Sequence, residues 1–344
     1  MREMHTVNGF VQRTAAFARA HALWKDGDGI VIACSGGPDS LALADVLQRM
    51  QGMFHLRLVL AHFEHGIRGE ASRDDARFVK SWARGKGVPF ELGAADIPSL
   101  AGADGQSVET EARVRRYAFL ERVREAYGFS TIATAHHADD QAETVLLHLL
   151  RGTGTAGLAG IRPKSRLQLA GWDGKRPDAG YLIRPFLGVT KKEIAAYCVW
   201  AGLHPRHDAT NDETDATRNR VRLELLPALR RYNPQITEAL GRLSEVAADD
   251  QAALDTWASR IALPPRVLEL RRLPRAVARL VLRRYWREVT GSAQDLPLEA
   301  VNRVLHLAAK YRNSGREQLP QHATAVCQHG YCIIQWNKKR KEEP

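Results

Sequence analysis

A chain of 344 residues, 44% hydrophobic and 26% charged, is long enough for two domains, and no stretch of it reaches the length of a membrane-spanning helix. Its formal net charge of +11 suits either a polyanionic partner such as nucleic acid or an enzyme that is merely basic. The four cysteines, Cys34, Cys198, Cys327 and Cys332, form no C-x-x-C pair, which argues against a zinc knuckle, an iron–sulfur site or a redox couple and leaves buried free thiols as the expectation.

The first residues, "MREMHTVNGFVQRTAAFARAHALW", are polar and amphipathic, with no apolar core of a secretory signal, so a cytoplasmic protein is expected. Residues 1–28 read as an N-terminal helical extension. From there short apolar runs at 29–34, 56–63 and 130–137 alternate with helical patterns at 40–50, 72–87 and 107–128. The last of these has Ser107 as its expected cap, Glu109 and Glu111 in its first turn, and Gly128 at its end. Alternation of this kind predicts an α/β fold: a parallel sheet flanked by helices, over residues 29–215. Residues 151–181, rich in Gly and basic residues, read as loops, and a further strand and helix follow at 181–202 with Thr190 as cap. After residue 216 the pattern becomes mainly helical and Arg-rich up to 336, with β-like runs in 317–336 and a basic tail at 337–344.

The string "SGGPDS" stands where the first apolar run gives way to a helix, the usual ligand crevice of an open α/β sheet. Gly36 and Gly37 let backbone approach a ligand, the N–H groups of the turn suit an anion, and the Ser35 and Ser40 hydroxyls can donate as well. The loop lacks the lysine of G-x-x-x-x-G-K-[ST] and carries Asp39 instead. An aspartate beside phosphates makes sense with Mg²⁺ between them, so Asp39 is a candidate metal ligand. The string resembles the PP-loop of the N-type ATP pyrophosphatases, and that resemblance implies ATP binding by Ser35, Gly36, Gly37, Pro38, Asp39 and Ser40 in an adenine nucleotide alpha hydrolase-like fold.

The run "TAHHADDQAETVLLHLLRGTGTAGLAGI" (134–161) sets His136, His137, Asp139 and Asp140 between a strand end and a helix start, with Glu143 and Thr144 one turn on. Asp140 can join Asp39 in a Mg²⁺ site, whereas the spacing matches neither H-E-x-x-H nor the zinc deaminase pattern. The run is similar to the H-H-x-D-D-Q-x-E-T…R-G-x-G-x-x-G-L element of the tRNA(Ile)-lysidine synthetases. "EHGIRGEASRDDARFV" (64–79) resembles that family's D-H-G-L-R-x-E-S element, with Glu64 where aspartate is usual. "VETEARVRRYAFL" (108–120) resembles its E-x-x-A-R-x-x-R-Y helix, and "DATNDETDATRNRVRLELLPAL" (208–229) its R-N-x-[IV]-R…P-x-L segment. The likeness is strong over 29–229, looser over 265–336, and absent from the first 25 residues.

The resemblance implies an ATP-dependent C–N ligase that converts the wobble cytidine of tRNA(Ile) with a CAU anticodon into lysidine. ATP is cleaved to AMP and pyrophosphate, and free L-lysine is the second substrate. Asp39, Arg113, Asp139 and Asp140 are the expected catalytic residues, Arg113 stabilising phosphate charge and Asp139 or Asp140 serving the lysine amine. His65 and His136 are expected beside ATP. Arg151, Arg218, Arg220 and Arg222 are expected to meet tRNA. So are Arg272, Arg275, Arg279 and Arg283, whose three- and four-residue spacing makes one basic stripe if they share a helix. The family includes dimers, so a homodimer is among the implied states. Two rivals remain at this point: a PP-loop tRNA thiolase, and a tRNA-binding protein with a non-catalytic nucleotide site.

Overall fold

The computed structural model describes residues 6–66, 70–97, 108–167, 180–206, 216–292, 294–310 and 314–336. The expected cap Ser107, the Glu109 side chain, the loop residues 168–179, residues 208–215 of the family-like segment and the tail 337–344 lie outside the described residues. Contacts divide the chain into two compact units, Met1–Val246 and Ala247–Pro344.

In the first unit the expected apolar runs form strands β1 (Gly29–Ala33), β2 (Arg57–Glu64), β4 (Thr131–Ala133) and β6 (Tyr181–Ile183), joined by β3 (Phe90–Ala94) and by the polar β5 (Lys164–Arg166), which lies in the stretch expected to be loops. They make one sheet in the order β3-β2-β1-β4-β6-β5, parallel except for the edge pair β5–β6. Successive strand side chains point to opposite faces. Ile30, Ile32, Leu58 and Leu60 accordingly pack with helices α1 (Val7–Ala20), α2 (Pro38–Phe54) and α3 (Glu70–Gly85). Val31, Val59, Ala61 and Phe63 pack on the opposite face with Tyr117, Leu120 and Val123 of α4 (Val108–Ala126). The N-terminal helix belongs to this core: Phe10 is buried against Phe186 and Tyr197.

After β4 come α5 (Ala138–Leu150) and the short α6 (Thr155–Leu158); after β6 comes α7 (Lys191–Trp200). Thr190 caps α7 as expected, its hydroxyl accepting from Glu193 N while the Glu193 carboxylate accepts from Thr190 N. Composition changes at residue 216, yet α8 (Ala216–Arg220), a π-helical turn (Val221–Leu225), α9 (Leu226–Tyr232) and the start of α10 (Ile236–Ser259) follow the first unit. Val221, Leu226 and Leu240 bury themselves against Ala142, Val145 and Leu146 of α5, and this apolar contact is why the division falls after Val246.

The second unit holds α11 (Val267–Arg272), α12 (Arg275–Thr290), α13 (Leu298–Lys310) and an antiparallel sheet of β7 (Ser314–Gln318), β8 (Ala323–Gln328) and β9 (Tyr331–Trp336). Trp286, Val277, Val281, Val301 and Ala325 lie at its centre. Pro274 interrupts the expected Arg stripe: it begins a new helix, so Arg272 ends α11 while Arg275, Arg279 and Arg283 ride on α12. One stripe of four is therefore corrected to three arginines at four-residue spacing plus one on the preceding helix. The thiols are all buried and free, and Cys327 and Cys332 face each other across β8 and β9 inside this core.

Candidate active site

The parallel strands β1 and β4 end side by side, and each hands over directly to a helix, α2 and α5 respectively. At the first junction Gly36 holds φ +93°, a left-handed backbone that favours glycine. A Cβ there would also come within 3.1 Å of Val79 Cγ2. Ser40 knots the loop: its hydroxyl accepts from Ser35 N at 3.1 Å and Gly36 N at 3.2 Å and donates to the Gly37 carbonyl at 3.1 Å. The hydroxyl expected to face a ligand is thus spent on loop shape. Gly37 caps α2 without a side chain and Pro38 opens it, so the N–H groups of the first turn are left for an anion at the positive end of the helix.

Asp39, in that first turn, is largely buried, and among the described residues its Oδ1 has no hydrogen-bond partner. Burial raises its pKa above the usual carboxylate range, although His137 and Lys191 pull the other way. At the second junction His137 caps α5, accepting from Asp140 N, while Asp140 Oδ2 accepts from His137 N at 3.0 Å. The His137 ring is near three carboxylates: Nε2 is 3.8 Å from Asp39 Oδ2, and Nδ1 is 3.5 Å from Asp140 Oδ2 and 3.8 Å from Asp139 Oδ2. His136, beside it, is held by Thr134 Oγ1 at 2.9 Å. Burial first, then the charges of Arg184, Arg113 and Arg116, push its pKa down to about 3 against the pull of Asp140, so it is neutral at ordinary pH.

The two aspartates expected to share one duty differ in their partners. Asp139 is tied on both oxygens, to Lys191 N at 2.8 Å and Arg230 Nη2 at 2.8 Å. Among the described residues the Oδ1 of Asp140 meets only the looser Arg218 and Arg222, at 3.5 and 3.8 Å. One turn further, Glu143, with a side chain 2% exposed, takes Arg218 Nε at 3.0 Å and Arg222 Nε and Nη2 at 2.7 and 3.1 Å. Arg218 and Arg222, expected on tRNA, are thereby drawn to the carboxylates of α5. Arg222 sits in the π-helical turn, a local irregularity that often marks a working site.

Arg113 lies on α4 with its guanidinium over the Tyr117 ring, and its charge reaches His136. His65, just past β2, packs edge-on to Phe63 at 5.0 Å. Arg220 turns outward to Glu224, and Arg151 caps the far end of α5, about 20 Å along the helix from His137. Neither joins the cluster. Sequence reasoning missed Glu143 as an acceptor and Arg184 and Arg230 as members. Glu143 carried a signal, since it stands three residues after Asp140 on the same helical face. Arg184 and Arg230 carried none locally, because only the fold brings them in. Among the described residues no three His, Cys, Asp or Glu side chains gather closely enough to hold a metal unaided.

Residues 9–229 match the family model described as a PP-loop domain. The chain is 38% identical to a tRNA(Ile)-lysidine synthase of Symbiobacterium thermophilum, over 94% of this chain and 68% of that one. It is 32% identical to one of Geobacillus kaustophilus, over 97% and 72% of the two chains. It is 36% identical to one of Geobacter sulfurreducens, over 93% and 68%. Among solved structures it is similar to a U34-tRNA thiolase of Methanococcus maripaludis, with a TM-score of 0.56 and 18% identity, covering 69% of this chain and 79% of the other. That last likeness concerns the fold alone.

Proposed function

Since the chain belongs to the tRNA(Ile)-lysidine synthase family of PP-loop proteins, we propose that it joins lysine to C2 of the wobble cytidine of tRNA(Ile), using ATP. The observation that carries the reading is the single His137 ring set between Asp39 of the PP-loop and Asp140 of the neighbouring strand end. It puts an anion cradle and a carboxylate suited to an amine on one edge of one sheet.

The C2 carbonyl oxygen of cytosine is a poor leaving group. It first attacks the α-phosphorus of ATP, the α–β bridge bond breaks, and pyrophosphate departs. The lysine ε-amine then adds to C2 and AMP leaves with the oxygen, so the C–O bond is exchanged for C–N. The amine needs a free lone pair and a carboxylate to hold its cation beforehand. Asp140 serves better than Asp139, both of whose oxygens are occupied by Lys191 and Arg230. The first-turn N–H groups of α2 hold ATP phosphates, and Arg113 meets the charge that develops at the α-phosphoryl group.

Mg²⁺ fits these residues. The unpartnered Asp39 Oδ1 offers one hard oxygen, Asp140 a second, and this ion usually takes one or two carboxylates together with substrate phosphates rather than a full protein cage. Bound there, it supplies neutralisation of phosphate charge. Free L-lysine as the amine donor, a cytoplasmic site of action beside tRNA, and the capacity to dimerise extend the same reading. The thiolase alternative gains nothing from Cys327 and Cys332, which are buried in the core of the second unit. The non-catalytic alternative predicts nucleotide binding without turnover, which the assay below separates from ligation.

Incorporation of labelled lysine into a CAU-anticodon tRNA(Ile) transcript tests the proposal. With Mg-ATP the wild type incorporates label, and Asp39→Asn loses at least about a hundredfold in rate. Pyrophosphate release dependent on tRNA but without lysine incorporation means the nucleophile is wrong. Folded wild-type protein doing neither overturns the enzyme reading.

A further inference from the structure

Beyond the PP-loop, a second set of cationic groups gathers where β4 and β6 end, on the α4 side of the sheet. Arg184 follows β6 directly. Its Nη1 donates to the Arg162 carbonyl at 2.6 Å and to Ser165 Oγ at 3.1 Å, which fixes the guanidinium. Its Nε is buried with no partner among the described residues. Arg113 and Arg116 of α4 lie over the Tyr117 ring at 5.1 and 5.4 Å, and the Tyr117 hydroxyl is also buried without a partner. Tyr117 shares one apolar cluster with Leu182 of β6, two residues before Arg184, which sets the α4 side chains beside the end of that strand; the charges of Arg184, Arg113 and Arg116 all act on His136.

Among the described residues no carboxylate forms an ion pair with Arg113, Arg116 or Arg184. By contrast Arg115, on the same helix, is paired with Glu111 at 2.6 Å and Arg124 with Glu121 at 2.7 Å. Arg184 and Arg116 are half-buried and Arg113 is exposed; a part-buried guanidinium held in place without a counter-ion favours a bound anion. A planar guanidinium with a free N–H, a phenol and two flanking arginines match the several oxygens of a phosphate. Burial lowers the Arg184 pKa, with Tyr117 pulling it up and Arg113 pushing it down.

We propose that Arg184, with Arg113, Arg116 and the Tyr117 hydroxyl, binds a phosphoryl group of a substrate at a locus separate from the first turn of α2. The inference rests on the ligase reading for its choice of ligands. Two sources share the chemistry: the phosphates of ATP, and the backbone phosphate beside the reacting cytidine. Arg184 is the anchor, because its orientation is fixed before any ligand arrives.

The test uses the full chain as wild type, Arg184→Gln and Tyr117→Phe. One arm measures Mg²⁺-bound α,β-methylene-ATP without tRNA by calorimetry. The other measures a CAU-anticodon tRNA(Ile) transcript without nucleotide by filter binding. Loss of at least tenfold in R184Q and about threefold in Y117F, confined to the same arm, supports the proposal and names the source. Both variants binding within twofold of wild type in both arms overturns it. Should R184Q fail to fold, Y117F decides alone, since it removes only an oxygen; unchanged affinity in both arms again overturns the cluster. Wild-type protein that binds either ligand yet incorporates no labelled lysine defeats the ligase reading, while the two binding arms still decide the cluster.

Discussion

Two sets of arginines illustrate how differently the same side chain is used in the two units. Arg218, Arg222 and Arg230 reach carboxylates of α5: Glu143, Asp140 and Asp139. On α12 of the second unit, among the described residues, Arg275 and Arg279 meet only the amide oxygen of Asn302, and Arg283 only the Leu296 carbonyl. The first set is largely neutralised and shapes a site. The second keeps its full charge and suits a phosphate backbone. A basic residue's role thus follows from what pairs with it, which spacing in sequence does not reveal.

The sharpest way to break this contrast is Glu143→Gln, which leaves Arg218 and Arg222 without their anion. Removing one partner of a buried ion pair costs about 3–5 kcal/mol, so the urea midpoint falls, and the rate of lysine incorporation by the remaining folded protein falls about a hundredfold. Wild-type activity in the variant would separate the pair from the site.

Asp45→Asn is the control with the next largest effect. Asp45 is fully buried and bonded to Arg49 at 2.7 Å, Tyr197 at 2.6 Å and Lys86 at 3.2 Å, but no substrate role falls to it. Burial works to raise its pKa, and Arg49 and Tyr197 outweigh burial and hold it below the usual range. A depressed carboxylate pKa contributes stability above its unfolded value, roughly pH 4, and loses that contribution as pH falls through the native value. The variant is therefore about 3 kcal/mol less stable at pH 7, and the gap narrows in acid; activity per folded molecule stays within about twofold.

Much of the first unit was legible because its chemistry is local. The Gly36-Gly37 turn and the Thr190 cap each lie within a few residues of their partners, and the strand runs alternate faces as simple periodicity requires; the His137 cap is equally local, yet histidine is not among the usual capping residues and so was not legible as one. The Asp39–His137 approach, the Arg184 cluster and the Glu143 clasp join residues far apart in sequence, so nothing short of the fold announces them. The α12 stripe failed at Arg272 for a local reason that was readable, Pro274, but was outweighed by a spacing pattern.

A smaller effect is expected on the other side of the contrast. The double variant Arg275→Gln, Arg279→Gln removes two charges held only by a neutral amide, so stability changes by less than about 1 kcal/mol. The plot of log affinity for tRNA against log salt becomes shallower by roughly 1.4 to 1.8 units if both meet phosphates. An unchanged slope would place the tRNA contact elsewhere.

The smallest effect is expected from Arg220→Ala, and it tests the contrast from within the first unit. Arg220 lies between Arg218 and Arg222 in sequence yet points to solvent, its side chain 74% exposed and 3.7 Å from an equally open Glu224. Such surface pairs contribute little, so stability shifts by no more than about 0.5 kcal/mol. If the partner rule holds, Arg220 behaves like the α12 arginines and unlike its own neighbours. The salt slope for tRNA falls by about one contact, roughly 0.7 to 0.9, while the rate at saturating tRNA stays as in wild type. A loss of rate at saturation would instead tie Arg220 to the carboxylate network, and position in the helix run, rather than pairing, would then be the better guide.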